Sequence, residues 1–349
     1  MTQTAHSHSR IGVSLPMLNQ PYERYAEFAA LVENAGFESV WDHELYRNPF
    51  STHALNARAT SRIQLGTEIA ATPRTPYEMA KAAADVDELS GGRTLLGLST
   101  GGAGWMQCFN ADIDPPLTRM REYIHLVRQL WMHFQTDQPF DFQGTIYHAS
   151  SPPFSPWGTR NLVRPQIPIY LAGLTQGMLR LAGEVADGVL GFLPTPSFIQ
   201  QHVLPNVAAG AAKAGRNPSD IEVTALVICS VSRDRTEALR RARINVGNYV
   251  AYPVSSTVTE FMGLQEDRDH VLRRLHSEGP AALTTAASDE LVRTFSIAGT
   301  PDEVADQLAT YDGVLPHIVL HTPYVPPIDQ ASSEDAFRSM VDAFARVNQ

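Results

Sequence analysis

The chain has 349 residues, 43% of them hydrophobic and 18% charged, a globular balance with enough apolar material for one large core. A formal net charge of −10 and the lack of a long Lys/Arg run argue against nucleic acid or an anionic lipid surface as partner. No apolar stretch approaches the roughly 18 residues a membrane span requires, and Cys108 and Cys229, without a CxxC, offer neither a disulfide framework nor a zinc site and read as small buried hydrophobes.

Met1 to Ser9 are polar, lack the apolar core of a secretory signal and read as a disordered tail in which His6 and His8 carry no metal role. The chain is therefore expected to stay in the cytoplasm. From there short β-rich runs alternate with segments of helical period, the pattern of parallel strands joined by crossover helices. Ile11 to Leu15 make the first strand, and Tyr22 to Ala35 a helix that stops at Gly36. Ser39 to Trp41 and Ile63 to Ile69 follow as the second and third strands, then a helix from Pro76 to Leu89 and a fourth strand from Thr94 to Leu98. Leu117 to Phe134 is helical, Phe140 to Tyr147 reads as a β-hairpin around Gln143-Gly144, and the proline-rich stretch Ser151 to Pro168 as irregular loop.

Ile169 to Ala172 supply strand five, Met178 to Val185 a helix, and Gly188 to Phe192 strand six. Pro196 to Ala214 form a helix closed by Gly215, and Val223 to Cys229 strand seven. About 234–296 break the rhythm, with helical pattern at Thr236 to Tyr249 and Asp267 to His276 but no clear strand, and read as an insertion capping the fold. Thr300 to Tyr311 opens with a Thr cap, a proline and first-turn acids, His317 to His321 form strand eight, and Glu334 to Val347 the closing helix. Eight strands close a filled barrel without exposed edges. The predicted fold is thus α/β: a single (β/α)8 TIM barrel over 10–349 with a helical insertion after strand seven. Closed α/β barrels reach roughly 250 residues or more as one unit, so length does not force a second domain.

In such barrels the site lies at the C-terminal strand ends. Strand two ends in Trp41-Asp42-His43-Glu44, where Asp42 is either an N-cap or a functional carboxylate and His43 either a surface residue or a proton-exchanging group. Strand three brings Glu68-Ile69 to the mouth, or is an ordinary strand end. Ser99 to Gly104, with Gly101 and Gly102, lets something flat approach the backbone, though plain turn flexibility explains the glycines equally well. The run lacks GxGxxG, which disfavours a Rossmann dinucleotide fold. After strand five, Gly173-Leu174-Thr175-Gln176-Gly177-Met178 opens a helix whose free amides make a natural phosphate cradle, and Arg180 either adds a charged contact or is solvated.

Together these stretches resemble the luciferase-like superfamily of flavin monooxygenases and deazaflavin-dependent oxidoreductases. The resemblance is carried by AGFESVWDH (Ala35 to His43), RIQLGTEI (Arg62 to Ile69), LSGGRTLLGLSTG (Leu89 to Gly101), IYLAGLTQGMLRLAGEVADGVL (Ile169 to Leu190) and AGTPDEVADQL (Ala298 to Leu308), in that order and spacing. Within the family, Asp-His at the end of strand two is the pattern of members that use the deazaflavin coenzyme F420, whereas many FMN-using relatives have Glu-His. The resemblance implies that His43 exchanges a proton beside the ring, that Asp42 contacts the coenzyme's polar edge, and that a non-prolyl cis peptide falls at Glu68-Ile69. It further implies that Gly101 passes close to the ring and that Gly173 to Met178 hold the phosphate.

The family's sugar-phosphate dehydrogenases place a Glu immediately after the strand-four glycine, and here that position is Gly102, which argues against glucose 6-phosphate. Trp41, Gly102, Trp105 and Phe109 instead suggest a pocket for a small apolar or aromatic substrate. The expected activity is hydride transfer with F420. An FMN-dependent monooxygenase, separable by oxygen consumption, is the alternative, and a non-catalytic coenzyme-binding protein is the third reading. The resemblance also implies a homodimer built on the early helices. No metal is expected.

Overall fold

The computed structural model describes residues 9–16, 20–45, 47–152 and 159–345, with the side chains of Ala103 and Trp105 outside the description. Eight parallel strands close on themselves: β1 (Arg10–Ser14), β2 (Ser39–Asp42), β3 (Gln64–Thr67), β4 (Thr94–Ser99), β5 (Ile169–Ala172), β6 (Gly188–Phe192), β7 (Glu222–Val231) and β8 (His317–His321). Ring closure is made by β1, which pairs Gly12 with Ser39 of β2 on one side and Arg10 with His317 of β8 on the other. The fold is a (β/α)8 barrel, as the alternation of elements predicts. Its helices begin where local chemistry says they should: Thr75 accepts from the Glu78 amide ahead of Pro76, and Thr300 and Glu303 form a reciprocal capping box around Pro301.

Two hydrophobic bodies result. The larger lies between strands and helices, and the smaller, Trp41, Leu95, Tyr170, Leu190 and Val319, fills the barrel interior. Gly97 is required here, since a Cβ on it would stand 1.9 Å from the Thr67 carbonyl oxygen of β3. At the N-terminal end the barrel is closed by a polar plug. His317 approaches Glu222 at 3.1 Å and Ser39 at 2.8 Å, Tyr170 donates to Glu222 at 3.1 Å, and Arg10 pairs with the same carboxylate.

Several sequence expectations are corrected. A helix at Pro49–Ala59 lies between β2 and β3, where none was predicted; its buried face mixes Phe50 and Ala57 with Thr52, His53 and Asn56, which blurs the apolar period. The segment after β4 does not stay open, because a helix starts at Ala103 and ends at Cys108, which is exposed rather than buried. The hairpin is real but shifted, with Asp141–Gln143 pairing against His148–Ser150. Within the insertion, helices at Arg235–Val250, Ser256–Phe261, Gln265–Glu278 and Asp289–Phe295 are followed by an unpredicted strand, Ser296–Gly299. That strand pairs with Ile228–Val231, the outer half of β7, while Thr224–Ile228 pairs with β8. The tail, Met1 to His8, and Val347 at the end of the predicted last helix fall outside the described residues, and that helix is described as Gln330–Ala345. Ser9 donates to the Leu315 carbonyl at 2.6 Å.

Candidate active site

Ser14, Asp42, Glu68 and His321 sit at or just past the C-terminal ends of β1, β2, β3 and β8, and all are buried. His43 follows β2 directly, so the strand geometry alone delivers these side chains to one mouth. The Glu68–Ile69 peptide is cis, where the family resemblance put it. Nδ1 of His43 lies 3.0 Å from Oε1 of Glu68, out of line for a hydrogen bond. Among the described residues both ring nitrogens of His43 and Oε2 of Glu68 have no hydrogen-bond partner.

Oε1 of Glu68 is also engaged by Ser14, and the donor directions behind it can be worked out. The Ser14 hydroxyl donates to Glu68 Oε1, so its oxygen is left to accept from Nδ1–H of His321 at 3.1 Å. Nε2 of His321 must then accept, and Tyr249 O–H donates to it at 2.8 Å. The Tyr249 oxygen in turn accepts from Tyr324 O–H at 3.3 Å. Burial holds both phenols far above their ordinary range, so each keeps its proton. One ordered chain of donors, Tyr324 to Tyr249 to His321 to Ser14, therefore ends on Glu68.

Burial dominates the charge states. It pushes His43 down to about 4 against the opposing carboxylate of Asp42, and His321 down to about 3, with neighbouring His43 adding to the effect. Glu68 is pushed up to about 7, although His321 and the Ser14 hydroxyl pull the other way. Asp42 rises to about 6 for the same reason, despite bonds from the Thr52 hydroxyl and the His43 amide. At neutral pH the mouth thus holds two uncharged imidazoles around a carboxyl group that exchanges its proton in the working range.

His43, Glu68 and His321 can each offer one ligand atom within 4.8 Å of one another, the donor types of a two-histidine, one-carboxylate metal site. Both nitrogens of His321 are already committed, to Ser14 and to Tyr249, so a metal would have to break the donor chain.

The remaining predicted residues divide. Thr175 caps the helix Gln176–Val185 by accepting from the Met178 amide at 3.5 Å, which leaves the first-turn amides around Gln176 and Gly177 without intrahelical acceptors. Gly173 is held to Leu190 through its amide, and Leu174 is buried with its carbonyl near His202 Nε2 at 3.1 Å. Gly101 has φ 80° and packs against Met106, and a Cβ on Gly102 would meet nothing within 4 Å.

Arg180 is turned toward Asn206 of the next helix at 3.1 Å, away from the loop it was expected to serve. Trp41 is also corrected: its ring is enclosed in the barrel interior, where it donates to Ser39 at 2.8 Å and leans on Tyr170. Phe109 lies on the surface, and the Trp105 side chain is outside the description. Ser14, Tyr249, His321 and Tyr324 were missed. Ser14 and His321 close apolar strands, the same signal that singled out His43, whereas Tyr249 and Tyr324 become site residues only through tertiary packing.

Residues 2–317 match the family described as Luciferase-like monooxygenase. The chain belongs to this family. Among luciferase-like relatives, the 5,10-methylenetetrahydromethanopterin reductase of Archaeoglobus fulgidus is 31% identical over 300 residues, 82% of this chain and 85% of that protein. The enzyme of the same name from Methanolobus tindarius is 30% identical over 295 residues, 82% of this chain and 85% of its own length. In structure, the coenzyme F420 dependent tetrahydromethanopterin reductase from Methanopyrus kandleri superposes with a TM-score of 0.79 at 22% identity, covering 97% of this chain and 98% of that one. This luciferase-like chain therefore shares its barrel with the Methanopyrus kandleri enzyme and about 30% of its aligned residues with the two others.

Proposed function

We propose that the protein transfers a hydride between coenzyme F420 and a small organic substrate of apolar or aromatic character. The observation that carries the reading is the His43 imidazole: enclosed at the barrel mouth, uncharged, and with neither ring nitrogen hydrogen-bonded among the described residues. Such polar atoms, with Oε2 of Glu68 beside them, fit a site completed by a bound ring and substrate. Asp42-His43 is the pattern that favours the deazaflavin over FMN, and the relatives at 30% identity or more named above are reductases of the methanopterin type.

When bound, F420 supplies a two-electron hydride carrier. The neutral imidazole of His43 takes the proton released as substrate is oxidised and returns it in the reverse direction. Asp42 accepts from the His43 backbone amide at 2.9 Å and from the Thr52 hydroxyl, which fixes the turn that presents His43 at the mouth. The Gly173 to Met178 loop holds the phosphate with first-turn amides and the positive end of the helix dipole. Gly102, where a Cβ would meet nothing within 4 Å, leaves room beside the end of β4. Phe192, Tyr249, Tyr252 and Tyr324 form a contiguous aromatic wall, with Phe192 and Tyr249 5.8 Å apart and Tyr249 and Tyr252 5.6 Å apart, suited to a flat or apolar substrate.

Purified protein offered F420 and FMN separately should retain the absorption spectrum of F420 and consume no oxygen during turnover. Retention of FMN with oxygen uptake overturns the deazaflavin reading. Tight binding without turnover on any panel, including a methylene-pterin of the kind the archaeal relatives are named for, overturns catalysis.

A further inference from the structure

The proton that His43 exchanges needs a source, and burial disfavours an imidazolium as its resting store. Around Glu68 the relevant groups from every neighbouring element are Ser14 of β1, Asp42 and His43 of β2, His321 of β8, Tyr324 beyond it, and Tyr249 of the insertion. Ser14 is the last donor of an oriented chain, and it donates to Oε1, the same oxygen that faces Nδ1 of His43 at 3.0 Å. Nothing else in that chain can release a proton easily, because the phenols are held protonated and His321 is committed at both nitrogens.

We infer that Glu68 is the proton store of the site, passing its carboxyl proton to Nδ1 of His43 while Nε2–H of the same ring protonates the substrate. This rests on the hydride-transfer reading above. In the direction of substrate reduction a bound reduced deazaflavin would supply the hydride. The Nε2–H bond of His43 breaks as a new O–H or N–H bond forms on the substrate, and the Glu68 O–H bond breaks as Nδ1–H forms. Glu68 is left as a carboxylate that keeps the hydrogen bond from Ser14. The ring resets when a solvent proton enters at Nε2 and the Nδ1 proton returns to Glu68. Glu68 acts through His43 and is a positioning residue; the small rotation needed to align the 3.0 Å contact is of the kind that closes when a site fills.

The test uses the coenzyme-free protein and ¹⁵N-histidine NMR, followed across about pH 5 to about pH 9. Wild type should show a step in the His43 ring signals centred near 7, where Glu68 titrates. Glu68→Gln should abolish that step while leaving the lower one from Asp42, near 6. Ser14→Ala removes a donor to the carboxylate, so the Glu68 proton is held more tightly and the step should move up by roughly half to one pH unit. In turnover, Glu68→Gln should lower kcat and flatten its pH profile near neutrality with KM little changed.

A His43 step near 7 that survives Glu68→Gln, or a downward shift in Ser14→Ala, overturns the inference. If Glu68→Gln does not fold, judged by its thermal melt, Ser14→Ala alone decides through the direction of its shift. Failure of F420 to bind refutes the hydride-transfer reading but leaves the NMR step intact, so the two failures are distinguishable.

Discussion

Replacing Tyr249 by Phe removes one hydroxyl from the middle of the donor chain and nothing else from the packing. Nε2 of His321 loses its donor at 2.8 Å, and Tyr324 loses its acceptor at 3.3 Å, both within the buried mouth. An orphaned buried acceptor costs about 1–3 kcal/mol, and the longer second bond adds about 0.5–1 kcal/mol. The sum, about 2–4 kcal/mol, corresponds in a chain this large to a fall in melting temperature of roughly 3–5 °C. Differential scanning calorimetry of wild type and Tyr249→Phe at one pH measures it. Tyr252→Phe is the control, since Tyr252 is exposed on the outer side of the same aromatic wall and should melt within about 1 °C of wild type. A Tyr249→Phe protein that melts with wild type would show that the chain of donors does not exist in solution.

Three further outcomes are expected. His43→Ala should lower kcat by about 10²- to 10⁴-fold while F420 affinity, followed by fluorescence quenching, changes little; a comparable loss in both would make His43 a binding residue. Gly97→Ala drives a methyl into the Thr67 carbonyl oxygen, so the variant should be recovered unfolded or aggregated, and a native circular dichroism spectrum with an unchanged melt would refute the close approach of β3 and β4. Cys108 is exposed and Cys229 wholly buried, so a thiol reagent should count one equivalent in native protein and two in denaturant.

The barrel was legible because each of its eight strands is a short apolar run and most helices announce themselves with caps such as Thr75-Pro76 and Thr300-Pro301. The helix Pro49–Ala59 escaped notice because polar residues interrupt its inward face: the Thr52 hydroxyl donates to Asp42, and His53 Nε2–H donates to the Gly66 carbonyl at 2.8 Å. Asn48-Pro49, a cap and first-turn pair, was the overlooked signal. Ser296–Gly299 is too short for a period to show. His43 and Glu68 could be named from strand ends, yet their pairing could not, because it depends on how far β2 and β3 stagger around the ring. Trp41 misled because alternation puts it on the same inward face as His43, two positions on, but one layer deeper in the barrel, where its ring is enclosed.

The ten-residue β7 serves two masters. Its inner half is a stave of the barrel, and its outer half grips the strand that ends the insertion. Everything between Ser232 and Phe295 consequently leaves from and returns to a single rail, with its first helix, Arg235–Val250, anchored through the buried residues Ala238, Ala242 and Val246. A protein engineer seeking a different substrate has this roof to work on, keeping Tyr249, which donates to His321, and Asn245, which accepts from the Tyr324 and Val325 amides.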